Sequence, residues 1–202
     1  MLCHYGEGSG LATLLAAIDE ERFWANVRTE FEETFRRFYR PERCVRMRRM
    51  YLEQPVAAIG EAVQLFPSDR SEIEELLAQG EWVMFLPACL AAGHYYGVRQ
   101  KGRLIAVACT HIASPCYNLA ALGSVFTHPD HRGKGLARIS SSHTPASVRR
   151  AGISRVVLNV EEQKRAARHV YQRLGFQTAC TCLDGECTRI QVKAVANDER
   201  TA

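Results

Sequence analysis

The sequence predicts an α+β fold: a mixed α/β sheet in which an antiparallel meander is joined through a helix crossover to a parallel strand, with a helical N-terminal extension. Three observations carry this. Tyr95 to Arg99, Arg103 to Ile112 and Leu119 to Thr127 are successive apolar runs separated by short polar turns, the pattern of antiparallel strands in series. A glycine-bearing loop, Arg132 to Gly135, is followed by a helical pattern. Val156 to Val160 then reads as a further strand. Because a helix precedes it, that strand is expected to lie parallel to the one ending at Thr127.

A chain of 202 residues with a net charge of +4 has room for one large domain, or for one domain and an extension. The charge permits an anionic ligand without demanding nucleic acid. Met1 to Ala12 lacks a basic start, and the apolar stretch Leu11 to Ile18 is short and mixed. Neither a secretion signal nor a membrane span is expected, and a cytoplasmic location follows by default. Eight cysteines without a C-x-x-C pair then read as thiols rather than bridges or a zinc site. Cys180, Cys182 and Cys187 read as small hydrophobes on a core-facing strand, with metal ligation as the other reading.

Taken in order, residues 1–60 suggest a mainly helical extension preceding a domain over 61–195. Phe23, Val27, Phe31, Phe35 and Phe38 recur at helical spacing, which predicts a helix from about Asp19 to Tyr39 that ends before Pro41. Seven arginines fall between Arg36 and Arg49, but residues 1–60 hold nine Lys/Arg against nine Asp/Glu. That balance favours an ion-paired, solvated face over a nucleic-acid surface. Arg46 to Leu52 reads as a strand. Ala62 to Phe66 reads as the next, Ser68-Asp69 caps a helix with Ile73, Leu76 and Leu77 on one face, and Trp82 to Ala92 reads as a second helix begun or interrupted at Pro87. After the glycine loop, Ser140-Ser141-Ser142 and Pro145 predict a kinked or shortened helix. Phe176 to Cys182 and Thr188 to Val192 complete the sheet.

The chemistry concentrates at Val125 to Ala137. The end of a strand runs into a short loop and a helix start, with Gly133 and Gly135 flanking Lys134. Glycines let the backbone approach a ligand closely, and a helix N-terminus offers unpaired N–H groups and partial positive charge. That combination suits a diphosphate. The loop has neither the P-loop order nor the dinucleotide-fold order. By itself it also reads as a strand–turn–helix connection that binds nothing.

With the downstream segment, the pattern resembles the GNAT superfamily of acyl-CoA-dependent N-acetyltransferases. Arg132-Gly133-Lys134-Gly135-Leu136-Ala137 is similar to its pyrophosphate motif. Leu158-Asn159-Val160, Ala167 and Tyr171-Gln172-Arg173-Leu174-Gly175-Phe176 are similar to its second signature. The resemblance covers roughly residues 60–190. It implies a GNAT-like fold, acetyl-CoA as cosubstrate with no metal, and an amine acceptor that is a small molecule or peptide. Neither nucleic acid nor membrane is implied as a partner, and a homodimer is compatible with it.

The resemblance implies that loop amides from Gly133 to Arg138, with Arg132 and Lys134 nearby, hold the pyrophosphate. The strand edge Val125, Phe126 and Thr127, bulged in the family and splayed from its parallel neighbour, takes the pantetheine arm. The resemblance also implies Tyr171 as the general acid for the leaving thiolate, with a tyrosine packed on the sheet as the alternative. Asn159 holds a water or the amine, with a strand-end cap as the alternative, and Lys164 makes a charge contact to CoA. Two positions depart from the family pattern: Asp130 stands three before Gly133, where Gln or Arg is usual, and Lys164 seven before Tyr171, where Asn is usual. The strand Leu119 to Ser124 lacks the carboxylate base that some members carry. Glu161 and His111 are candidates for it, with a water chain or no dedicated base as the alternative; His111 also reads as a partly buried, hydrogen-bonded strand residue, and His128 and His131 border the loop or belong to the surface. A catalytically silent acyl-CoA-binding or sensing module is the alternative function.

Overall fold

The computed structural model describes residues 2–3, 10–54, 56–80 and 85–190. The chain divides into two compact units, Met1–Met47 with Thr181–Ala202, and Arg48–Cys180. The first unit holds strand β1 (Leu2–Cys3), helix α1 (Leu11–Ala17), strand β2 (Arg22–Arg28), helix α2 (Glu32–Arg36), the start of strand β3 (Tyr39–Leu52) and most of the last strand, β9 (Phe176–Arg189). β2 pairs in parallel with β1 and antiparallel with β9, Arg22 opposite Thr188 and Arg28 opposite Cys182.

The helix expected from Asp19 to Tyr39 is not formed. Phe23 and Val27 lie on strand β2, Phe31 ends a 3-10 turn, and Phe35 lies on the five-residue α2. A four-residue spacing puts side chains on one face of a helix and also on one face of a strand, so periodicity could not separate the two. Phe23, Phe35 and Tyr39 instead form an aromatic cluster, with ring centroids 4.7 Å and 5.6 Å apart for the two pairs that include Tyr39. Leu11, Leu15, Val27 and Cys187 complete that core. The arginine run is ion-paired as its acid count implied: Glu32 bridges Arg36 and Arg46, and Arg37 and Arg40 meet Glu33 and Glu42.

β9 is one strand where two were expected. An Asp-Gly pair is common in turns, yet Asp184-Gly185 continues the strand, and Asn26 Nδ2 on β2 donates to Asp184 Oδ1 at 2.7 Å. Gly185 is needed for a different reason: a Cβ there would lie 2.2 Å from the Arg43 carbonyl oxygen. Part of the Thr188–Val192 segment lies outside the described residues. Cys182 and Cys187 are fully buried, and among the described residues no group of His, Cys, Asp and Glu could hold a metal ion.

The larger unit contains β4 (Val63–Leu65), α3 (Arg70–Leu77), β5 (Tyr95–Gln100), β6 (Arg103–Ser114), β7 (Leu119–Thr127), α4 (Leu136–Arg150), β8 (Arg155–Glu161) and α5 (Arg165–Arg173). Its hydrogen-bonded strand order is β9-β3-β8-β7-β6-β5-β4. β4 to β7 are antiparallel neighbours, and β7 and β8 are parallel, as the crossover required. Ile73, Leu76 and Leu77 of α3 bury against Leu65, Tyr95, Cys109 and Phe126 on one side of the sheet. Val148 of α4 and Tyr171 of α5 join the cluster of Ala108, Ala120, Leu122 and Leu158 on the other. Between α3 and β5, the expected second helix is a 3-10 turn, Pro87–Leu90; residues 81–84 lie outside the described part. Among the described residues no helix is long and apolar enough to cross a membrane.

α4 runs for 15 residues through the serines and Pro145, without the expected shortening. Ser140 Oγ donates to the Leu136 carbonyl and Ser142 Oγ to the Ile139 carbonyl. Their hydroxyls thus bond inside the helix instead of competing with it. Small buried side chains at Ser140, Ser141, Thr144 and Ser147 let this helix pack closely over the sheet, which offsets their weak helix propensity.

Candidate active site

The site begins where β7 leaves β8. The two strands pair from Leu119 opposite Arg155 to Leu122 opposite Leu158, and no further. In β7 the pairing to β6 shifts register between Gly123 and Phe126, where β7 holds one residue more than β6. Ser124, inside this bulge, has φ +43°. A bulge bends its strand and increases the local twist, so β7 and β8 diverge beyond Leu122. The gap opens into a cleft of about 1240 Å³ walled by β7, the glycine loop, α4, α5 and the C-terminal end of α3.

The glycine loop takes its shape from two left-handed residues, Gly133 at φ +77° and Gly135 at φ +76°. Gly135 is the N-cap of α4 and its carbonyl accepts the first helical bond, from Ile139 N. The N–H groups of Leu136, Ala137 and Arg138 are therefore spare donors at the helix start. No heavy atom lies within 4 Å of an ideal Cβ on Gly133 or Gly135. Glycine is required there by backbone conformation and leaves open space above it. Three buried polar atoms of the lining residues, Thr127 Oγ1, His131 Nδ1 and Arg138 Nε, have no partner among the described residues. Buried donors of this kind are costly unless a ligand or water meets them.

Most of the residues singled out from the sequence meet at this cleft. Val125, Phe126, Thr127, Arg132, Gly133 and Gly135 line it, as do Leu136, Ala137, Arg138, Lys164 and Tyr171. Lys134 and Asn159 do not. The Lys134 ammonium reaches the Asp130 carbonyl at 3.5 Å. Asn159 is exposed and accepts a hydrogen bond from Arg49 Nε at 3.2 Å, so its amide serves a structural contact. Lys164 is ion-paired with Glu161 at 2.6 Å. Asp130 turns its carboxylate to solvent, with the side chain 85% exposed, which removes the repulsion its position beside the loop would otherwise bring. Arg132 donates to the Thr127 carbonyl at 3.3 Å and lies over the Phe126 ring.

Tyr171 is 8% exposed, packs edge-on against Phe176 at 6.0 Å and borders the cleft from α5. Burial pushes its phenol well above the ordinary tyrosine range, so the group is protonated at neutral pH and can donate but not act as a base. Sequence reading missed Gln79 and Gly80, which reach the cleft from the end of α3, and the cationic face of α5. Arg165, His169 and Arg173 stand at four-residue intervals and all line the cleft. That spacing was a legible signal of one positive helix face.

Comparison with known proteins agrees with this geometry. The model of the acetyltransferase (GNAT) family matches residues 24–176. The L-amino acid N-acyltransferase MnaT of Escherichia coli (strain K12) is 43% identical over 53 residues, 26% of this chain and 31% of that protein. The match thus spans less than a third of that relative's length. A crystal structure of a putative GNAT-family acetyltransferase from Novosphingobium aromaticivorans superposes with a TM-score of 0.63 at 26% identity, covering 91% of this chain and 80% of the other. A GNAT-family acetyltransferase from Colwellia psychrerythraea gives a TM-score of 0.65 at 13% identity, covering 91% and 71%, which speaks for the fold alone. The family model covers well over half of the sequence, and the glycine loop and splayed strands lie within it: the chain belongs to the GNAT family of acyl- and acetyltransferases.

Proposed function

We propose that the chain transfers an acetyl group from acetyl-CoA to the amine of a small acceptor by direct attack on the thioester. The observation that carries this is the cleft that opens where β7 leaves β8, closed at one end by the two left-handed glycines and the spare N–H groups of α4. The diphosphate of CoA fits that end, because backbone donors, the helix dipole and Arg138 all favour negative charge there. Pantetheine amides fit the unpaired edge of β7 from Val125 to Thr127, as an added strand would. A backbone N–H at Phe126 or Thr127 would polarise the thioester carbonyl. Arg165 and Arg173 of α5 add positive charge along the wall.

Tyr171 is the proton donor to the departing thiolate. Its buried phenol stays protonated, so the proton is available whenever the C–S bond breaks. The name of the Escherichia coli relative makes amino acids the first acceptors to assay. The test is release of CoA thiol from acetyl-CoA across a panel of amino acids, other small amines and peptides. Turnover on any of them supports the reading. CoA binding without turnover on the whole panel would leave the silent binding module, which the absence of a carboxylate from Leu119 to Ser124 favours.

A further inference from the structure

β6 and β7 each carry a bulge near the cleft, separated along the ladder by the pairs Cys109–Gly123 and Thr110–Leu122. Thr110 lies opposite Leu122 and Ile112 opposite Ala121, so His111 is the extra residue of β6. Ser124 belongs to the bulge of β7 and holds φ +43°, a conformation a serine keeps only when its surroundings impose it. The two extra residues meet: His111 Nε2 and Ser124 Oγ are 2.9 Å apart. A Cβ on Gly123 would come within 2.2 Å of His111 Cε1 and 2.4 Å of both ring nitrogens. The imidazole therefore lies against the backbone of β7, and only glycine leaves it that space. The Cys89 thiol fixes the backbone from above by donating to the His111 carbonyl at 3.3 Å. Two register shifts, a strained serine and an obligatory glycine are together directed at one half-buried imidazole.

The location suits a proton transfer at the thioester. Ser124 immediately precedes Val125 in the cleft wall. The cleft extends to Gln79 and Gly80 at the end of α3, on the sheet side where Tyr95, Cys109 and Phe126 pack. His111 and Ser124 do not themselves line the cleft; the pair adjoins its wall through Val125. Around the pair, Cys109 on β6 and Tyr95 on β5 interact with the Ser124 side chain, and Cys89 on the 3-10 turn meets the His111 carbonyl. Burial pushes all three upward, Cys109 to about 12. They are neutral at physiological pH, and an imidazole is the side chain whose ordinary charge change falls nearest to it.

We propose that His111, positioned by Ser124, is the base that takes the proton from the attacking amine; this rests on the acetyl-transfer reading above. As the amine nitrogen bonds to the carbonyl carbon, one N–H bond breaks and its proton passes to the imidazole. The electron pair of the C–S bond leaves on sulfur, which Tyr171 protonates. The imidazolium then releases its proton to solvent, and the Tyr171 phenolate regains one from solvent, which restores both groups. Bulges of this kind re-aim side chains next to active sites, and here they supply a base on a strand pair without a carboxylate.

The experiment is the pH dependence of kcat/KM between about pH 6 and 10, a span that brackets imidazole and amine ionisations, with the best amino-acid acceptor. Wild type should show a rising limb in the imidazole range. His111→Gln should lose that limb and about 10²–10⁴-fold in rate at neutral pH, while keeping the CoA-induced shift in Tm. Free imidazole should restore part of the rate of His111→Ala. If His111→Gln does not fold, Ser124→Ala, which leaves the imidazole in place, should lower kcat and move the limb. A His111→Gln profile like that of wild type, or an unmoved limb in Ser124→Ala, overturns the proposal. Wild type that binds CoA but turns over no amine overturns the acetyl-transfer reading as well.

Discussion

Replacing Gly135 by aspartate should abolish stabilisation by CoA, and the structure separates the two ways it acts. Gly135 holds φ +76° as the N-cap of α4, and an added Cβ meets no heavy atom within 4 Å. In the free protein the cost is therefore backbone strain alone, about 1–2 kcal/mol for a left-handed non-glycine residue. Gly135→Ala measures that term as a fall in Tm of about 2–8 °C for a chain of this size. The aspartate adds a negative charge where the diphosphate is to sit. At about 5 Å and an effective dielectric of about 20, each unit of like charge costs roughly 3 kcal/mol, or about two decades in Kd. With a Kd of about 10 μM, 1 mM CoA stabilises wild type by about 2.7 kcal/mol, a rise of roughly 5–10 °C. A Kd raised about a hundredfold leaves roughly 0.4 kcal/mol, near 1 °C. Thermal melts of wild type, Gly135→Ala and Gly135→Asp, with and without CoA, give all three numbers. A Gly135→Asp protein that keeps the wild-type shift would refute the placement of the diphosphate, and a wild type with no shift at millimolar CoA would refute the cleft as a CoA site.

Tyr171→Phe keeps the ring against Phe176 and removes its only side-chain proton, so kcat should fall by about 10²–10⁴-fold with acetyl-CoA affinity unchanged. An equal loss of affinity in a binding assay would make it a packing residue, and unchanged turnover with chemistry rate-limiting would remove its acid role. Burial moves the Cys109 thiol from 9.0 to about 12. The unfolded chain therefore loses this proton first, and stability present below about pH 9 declines towards pH 12, by up to about 1.4 kcal/mol per pH unit. Cys109→Ala should flatten that part of a Tm-against-pH curve, and an equal slope in both proteins would contradict it. Gly185→Ala drives a Cβ onto the Arg43 carbonyl oxygen at 2.2 Å with φ at +153°. We expect a loss of about 2–4 kcal/mol, and a denaturant midpoint like that of wild type would show that β3 can move away.

Local rules were enough for the middle of the chain. The three strands from Tyr95 to Thr127, the helix start at Gly135 and the parallel β8 follow from alternation, turn residues and the handedness of crossovers, all properties of near neighbours in sequence. The placing of the glycine loop and Tyr171 on one cleft was legible for the same reason, since each belongs to a short motif on one loop or helix. Residues 19–39 and 176–189 were not. There, a four-residue apolar spacing and an Asp-Gly pair each satisfy two local structures, and cross-strand partners such as Cys187, Asp184 and Arg43 decide between them. Asn159 could be judged only once Arg49, distant in sequence, was found to hold it. The two bulges lay further still beyond reading. A one-residue register shift has no composition of its own, and His111 meets Ser124 only because two strands pair out of step. The sequence by itself determined which segments are strands around a phosphate-type loop. Tertiary pairing determined how wide β7 and β8 stand apart, which side chains fill the gap, and that Gly123 makes room for an imidazole, because each of these depends on atoms brought together from different strands.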